Sequence, residues 1–476
     1  MDRFFKLKEN GTEWRTELIA GITTFITMAY IIFVNPMILA QAGMNSKGLL
    51  GAEVTKAGLN VSNDPVIAAV FVATILSAFI GTIIMGLVAN VPFALAAGMG
   101  MNAFFTYYVV LTVGYTWQQA LAIVFICGII NITITVTKLR IMIVDSIPDS
   151  LKNAIGAGIG LFIALIGFKE GGLVASSADT LVTMGSFKDP KVLLTAIGLI
   201  IIGILMVKRV KGAILLGIIL TTVIGVFMQT VLGLDMGIFL PESFKVFSAP
   251  PSLAPTFLKL DFKGLFSSEA GIGAGIISAL SIIMSFSLVD TFDTIGTFIG
   301  TGRKTGIFDE KNDKPGKGRF PRKIDKALFA DSIATSIGAL LGTSNVTTYV
   351  ESAAGISEGG RTGLTAVVTA VCFLLALFIS PIIGIVPSQA TAPALIIVGV
   401  LMIGAIMKIN FDDFTEALPA FFTLVMMPFT YSIANGIASG FIFYTIVKIV
   451  TGKAKEVHPI MYVFTVLFIL KFALQV

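Results

Sequence analysis

Apolar runs of about twenty residues recur along the whole of this 476-residue chain, each long enough to cross a bilayer core as a helix. The first covers roughly 17–36, after a short amphipathic start holding Arg3, Lys6, Lys8 and Arg15. Further runs centre near residues 77, 102, 127, 160, 199 and 222. A mixed-charge loop with Pro241, Pro250, Pro251 and Pro255 fills about 233–270. Runs near 282, 333, 350, 372, 400, 422 and 442 follow, then a last apolar stretch over 459–475. The pattern predicts fourteen spans, seven on each side of the central loop. Two halves with an odd number of spans have opposite orientations, which is the inverted-repeat layout of many secondary transporters.

Two runs break the pattern. "NVPFALAAGMGMN" (90–102) and "NVTTYVESAAGIS" (345–357) each begin with Asn-Val, each reach Ala-Ala-Gly, and each fall third in their half. Residues 343–349 form a polar, β-branched run that suits a short extended strand better than a membrane helix. Ser-Ala-Ala-Gly after Glu351 opens a half-helix, and Pro92, Gly98 and Gly100 mark the matching break. We therefore expect 344–350 and 95–98 to be extended and adjacent, each followed by a half-helix. Non-helical backbone at membrane depth is tolerated only where it faces protein or a cavity. The expected fold is an all-α polytopic membrane protein of about 14 transmembrane segments as a 7+7 inverted repeat. Short strands would interrupt its third and tenth spans.

Composition agrees. Hydrophobic residues make up 55% and charged residues 13%, about half the charged fraction of a soluble domain, and mean hydropathy is +0.93. The net charge of +5 is not a nucleic-acid patch, since nine of the 33 basic residues crowd into 303–326. With the N-terminus cytoplasmic, that loop falls inside, as do Lys138 with Arg140, Lys208 with Arg209 and Lys211, Arg361, Lys408, and Lys448 with Lys453 and Lys455. On the opposite side Lys47 and Lys56 are matched by Glu53 and Asp64. The stretch 459–475, with Lys471, is expected to lie at the membrane interface. Cys127 and Cys372 sit in apolar runs and read as packing residues. One histidine, His458, rules out a histidine-ligated metal site or a serine–histidine triad.

The chemistry gathers on three acids. Asp290 and Asp293 in "SLVDTFDTIGTFIG" (287–300) are three apart and share a helix face, while Glu351 follows the second break. An alternative ends the apolar run before Asp290 and leaves both aspartates in water, but Ile295, Phe298 and Ile299 continue the pattern. Glu351 alternatively caps a helix start. No intramembrane Lys or Arg is apparent to neutralise the three, and intramembrane ionisable residues are functional candidates. Such a set suits a cation or a neutral ligand rich in N–H donors, because a carboxylate accepts two parallel hydrogen bonds. Phe25, Phe93, Phe104 and Tyr349 lie near the breaks, where they either pack in the core or stack on a planar ring.

These segments carry a resemblance. "GITTFITMAYIIFVNP", "AAGMGMNAFF", "SLVDTFDTIGTFIG" and "YVESAAGISEGGRTGLTAVV" resemble the signature segments of AzgA-like purine permeases, within the nucleobase–ascorbate transporter superfamily. The resemblance implies a core domain of spans one to four and eight to eleven (1–137 and 236–385). It implies a gate domain of spans five to seven and twelve to fourteen (138–235 and 386–476). The implied activity is import of hypoxanthine, guanine or adenine by proton symport at the cell membrane, without a cofactor. Carried over by motif, Asp290 and Glu351 hold the purine and Asn102 completes the pocket. Asp293 acts in coupling, and Thr24, Phe25, Tyr349 and Gly100 join the candidate lining. A proton shared among Asp290, Asp293 and Glu351 is the expected coupling ion, with Na⁺ as the alternative. The chain lacks the Gln-His pair of the xanthine and ascorbate branch, which favours the salvage bases. An anion exchanger or channel of the same fold is the rival, and no cationic pocket residue supports it. "GTGRKTG" (300–306) lacks the Walker glycine before Lys304, and the Tyr-Asp and Gly-Asp settings of intramembrane aspartyl proteases do not occur. Whether the chain forms a homodimer is left open.

Overall fold

A computed structural model describes residues 2–137, 139–238, 240, 247–266, 272–305, 307–308, 320 and 322–473. Most of the basic loop read above between 303 and 326 lies outside the described residues. The first span is α1 (Trp14–Met28) continued by α2 (Ile31–Ala40), and the second begins with α3 (Pro65–Ile84). The third is broken into strand β1 (Leu95–Ala97), half-helix α4 (Met99–Ala103) and a π-helical end. Next come α5 (Trp117–Val136), the connector α6 (Leu139–Ser146) and α7 (Asp149–Glu170). A hairpin of β2 (Val174–Ser177) and β3 (Leu181–Met184) leads to α8 (Pro190–Val207) and α9 (Ala213–Thr230).

The second half opens with α10 (Ile272–Thr305) and α11 (Lys323–Leu341). Its third span is again broken, into β4 (Val346–Thr348) and α12 (Ser352–Ser357). Then follow α13 (Gly363–Leu375), α14 (Ser388–Ile403), α15 (Phe414–Phe429), α16 (Ile433–Val450) and α17 (Pro459–Ala473). Ten helical segments among the described residues are individually long and apolar enough to cross a bilayer. With α11, α15 and the two broken segments they make the fourteen expected spans, and α17 is a further, shorter apolar helix. The helix starts follow local chemistry. Asp64 accepts from Val66 and Ile67 with Pro65 at the first turn, and Thr116 and Gln119 form a capping box. Glu17 of α1 is buried and caps α13 from outside, accepting from the Arg361, Thr362 and Thr365 amides.

β1 and β4 pair antiparallel, Leu95 opposite Thr348 and Ala97 opposite Val346, as the two breaks predict. Aligned on the Asn-Val echo, β1 would match 350–352 of the second half, whereas the strand there is β4 at Val346–Thr348. A two-stranded ribbon inside a membrane leaves edge groups unpaired unless side chains meet them. They do: Thr82 Oγ1 accepts from the Leu95 amide at 2.9 Å, and Asp331 Oδ1 accepts from the Thr348 amide at 3.0 Å. Ser352 and Thr335 bond the Ala94 amide and the Val346 carbonyl.

Helix packing falls into two sets. α1, α3, α5, α10, α11 and α13 pack on one another around the ribbon, whereas α7, α8, α9, α14, α15 and α16 form a second bundle in which α7 packs along α14 and α15. The C-terminal stretch, expected at the membrane surface, runs antiparallel beside α16 as α17. Tyr462 bonds the Ala454 carbonyl, Thr465 meets Thr445 at 2.8 Å, and Lys471 reaches Asn435 at 3.2 Å.

Candidate functional site

α10 continues without a break to Thr305, so Asp290 and Asp293 lie inside a helix and not at its solvated end. They sit about 27 and 32 Å from its start at 1.5 Å per residue. An open cavity of about 440 Å³ lies between the strand ribbon and the second bundle. Its inner wall holds Tyr30, Phe292, Asp293, Tyr349 and Glu351, with the backbone of Gly98 to Gly100; Lys152 and Lys408 also line it. That volume lies within the range of small-molecule pockets. The Glu351 carboxylate accepts a hydrogen bond from the Tyr30 hydroxyl at 2.7 Å. The Tyr349 hydroxyl donates to the Ala97 carbonyl at 2.5 Å. Among the described residues no hydrogen bond reaches the Asp293 carboxylate, so its acceptors are free for whatever enters.

The other sequence candidates are placed differently. Asp290 faces away from the cavity and is fully buried. Asn131 donates to one of its oxygens at 2.7 Å and Asn345 to the other at 3.1 Å. Arg140 of α6 lies 3.6 Å from Asp290 and 3.3 Å from Asp331. The motif carry-over set Asp290 at the substrate and Asp293 behind it, while the cavity contains Asp293. Gly100 and Tyr349 line the cavity; Asn102 does not. Asn102 is buried against Ser344, and among the described residues its amide nitrogen has no hydrogen-bond partner. Thr24 is buried under α12, where a Cβ at Gly355 would strike its hydroxyl. Phe25 packs edge-on against Phe373, Phe93 against Phe298, and Phe104 against Phe286.

Four participants escape a reading of the sequence. Tyr30 and Phe292 are ordinary apolar-run aromatics until the fold sets them on the cavity wall. Arg140 counts as a loop cation, yet it is 1% exposed. Asp331, the third acid of this buried set, lies in "LFADSIATS" and has helix-face spacing to nothing that marks it. Its side chain joins α11 to β4 through the Thr348 amide and hydroxyl, and to α10 through Thr294 at 2.8 Å.

At the far end of α7, about 27 Å from Lys152 by helix rise, the two bundles meet in a polar contact. Gln41 donates to Glu170 at 3.0 Å, and the Tyr107 hydroxyl lies 3.3 Å from Gln41 and 3.5 Å from Glu170. The Lys169 ammonium sits over the Tyr107 and Tyr431 rings at 5.7 and 5.2 Å.

Comparison with known proteins decides the class. The profile of the Permease family matches residues 15–439. The chain belongs to this permease family. The permease is a transporter and not an enzyme. It is 45% identical over 474 residues to the guanine/hypoxanthine permease PbuG of Bacillus subtilis (strain 168), covering 99% of each chain. It is 42% identical to the adenine permease AdeP of Escherichia coli (strain K12), covering 99% of this chain and 95% of that one. The resemblance of its motifs to purine permeases is thus matched over nearly the whole length. In fold, the permease resembles the transmembrane domain of the cyanobacterial bicarbonate transporter BicA, with a TM-score of 0.58 at 17% identity, covering 90% of this chain and 97% of that one. It also resembles the murine anion transporter Slc26a9 in the inward-facing state, with a TM-score of 0.58 at 9% identity, covering 92% of this chain and 68% of that one.

Proposed function

We propose that the permease imports purine nucleobases, among them hypoxanthine, guanine and adenine, by proton symport. The observation that carries this reading is the cavity wall, where the Asp293 carboxylate, without a hydrogen-bond partner among the described residues, and Glu351 share one space with Tyr30, Phe292 and Tyr349. A purine edge presents N–H donors side by side and a flat face, which carboxylates accept and aromatic rings cover. The names of PbuG and AdeP support the same class. Asp293 and Glu351 hold the base. Asp290 and Asp331 form the buried charge behind it, where a transported proton is held. Anion exchange by the same fold is not favoured, because the inner wall presents carboxylates.

The strand-bearing set acts as the core and the second bundle as the gate, and the core slides past α7 and α14 with its cargo. With the N-terminus cytoplasmic by the positive-inside rule, the Lys152 and Lys408 end of the cavity opens inward. The Gln41–Glu170–Tyr107 contact then closes the outer side. The test is uptake of labelled hypoxanthine by cells or vesicles carrying the permease, with unlabelled bases as competitors and with a protonophore. Competition by purines and loss of accumulation with the protonophore are expected. Uptake that follows a Na⁺ gradient instead overturns proton coupling, and failure of every purine to compete overturns the substrate class.

A further inference from the structure

The connector α6 carries the chain from the core helix α5 to the gate helix α7, and from it Arg140 enters the core. Its Nε donates to Thr291 at 3.2 Å, and one terminal nitrogen donates to the Leu328 carbonyl at 3.1 Å and Ser332 at 2.9 Å. The other terminal nitrogen faces Asp331 at 3.3 Å and Asp290 at 3.6 Å. None of its contacts is with the cavity, yet each carboxylate leads there. Asp331 bonds Thr348, immediately before Tyr349 and three residues before Glu351. Asp290 is one helical turn from Asp293. One cation between two buried carboxylates leaves the cluster one negative charge, and an uncompensated buried charge is costly. Among the described residues the other titratable groups facing this cluster are Asp293 of α10 and the Cys127 thiol of α5.

We propose that Arg140 is a positioning residue for transport: it clamps Asp290 and Asp331, limits the cluster to one exchangeable proton, and holds β4 in register with the cavity. This rests on the proton-symport reading. The charge arithmetic gives signed outcomes. Without Arg140 the two acids hold protons to higher pH, and without the Asp331 charge Asp290 releases its proton at lower pH. An opposite charge at this range moves such a titration by about 1–3 pH units.

The experiment compares wild type with R140Q, D331N, R140Q/D331N and R140K. Uptake of labelled hypoxanthine is measured between about pH 5 and 7.5, about one unit below the ordinary thiol pKa, and the Tm of purified protein is followed over the same range without purine. R140Q should move the pH midpoint of uptake alkaline by about 1–3 units and D331N acidic by a similar amount, with the double variant returning near wild type. R140K should keep the midpoint with a lower maximal uptake, because an ammonium lacks the fork that reaches five acceptors. The Tm of R140Q should fall relative to wild type as pH rises, since its folded state then binds more protons than its unfolded state. Unmoved midpoints in both single variants, or Tm–pH profiles parallel to wild type in all four, overturn the proposal. Loss of uptake in every variant leaves the Tm measurement to decide. A wild type that takes up no purine defeats the substrate reading alone, because the Tm arm needs no substrate.

Discussion

Replacing Asp293 with asparagine separates the two aspartates of α10. The side chain keeps its volume but loses one acceptor oxygen and its charge. Asp293 has no hydrogen-bond partner among the described residues, so the change leaves no protein donor stranded and the helix should be undisturbed. Everything lost is lost to the ligand. A hydrogen bond to a charged group contributes about 1.5–3 kcal/mol, so Kd for hypoxanthine should rise roughly tenfold to more than a hundredfold. Asp290→Asn is the control. It disturbs a carboxylate held by Asn131, Asn345 and Arg140 outside the cavity, so binding should change less than transport does. The assay is equilibrium binding of labelled hypoxanthine to purified protein, with surface expression and uptake followed in parallel. Near-normal affinity in Asp293→Asn, or a larger binding loss in Asp290→Asn, would refute the assignment of the cavity carboxylate.

Three further outcomes can be checked. Tyr30→Phe removes the hydroxyl that donates to the Glu351 carboxylate at 2.7 Å; as a hydrogen bond to a charged group contributes about 1.5–3 kcal/mol, hypoxanthine Kd should rise by up to roughly tenfold to a hundredfold, and an unchanged Kd would show that Glu351 needs no such support. Gln41→Leu with Glu170→Gln weakens the contact that joins the two bundles, so a cysteine at Ile163 on the cavity wall should react faster with an impermeant maleimide from outside; an unchanged rate would remove this contact from gating. Since α17 runs antiparallel to α16 as far as Asn435, a cysteine at Phe472 should be labelled from the membrane face opposite to one at Lys455, and labelling of both from one face would return α17 to the surface.

The spans, their order and the two breaks were legible in the sequence because each rests on local chemistry. Twenty apolar residues cross a bilayer wherever they pack, and Pro92, Gly98 and the threonines of 343–348 disfavour a helix whatever surrounds them. The three acids stood out for the same reason, being charges in apolar runs. Which aspartate meets the cavity was not local. Asp290 and Asp293 share a helix face by spacing, and only the packing of α5, α11 and β4 turns one toward Arg140 and leaves the other open. Arg140 and Asp331 belong to this second class. Their roles depend on an ion pair spanning 191 residues of sequence, which no periodicity encodes. The Asn-Val echo pointed to both breaks but aligns β1 with 350–352 and not with β4 at Val346–Thr348, because a few matching residues do not fix where each half turns extended. Local sequence determined what each segment could be; tertiary contact alone decided which charges face the cavity and which face each other.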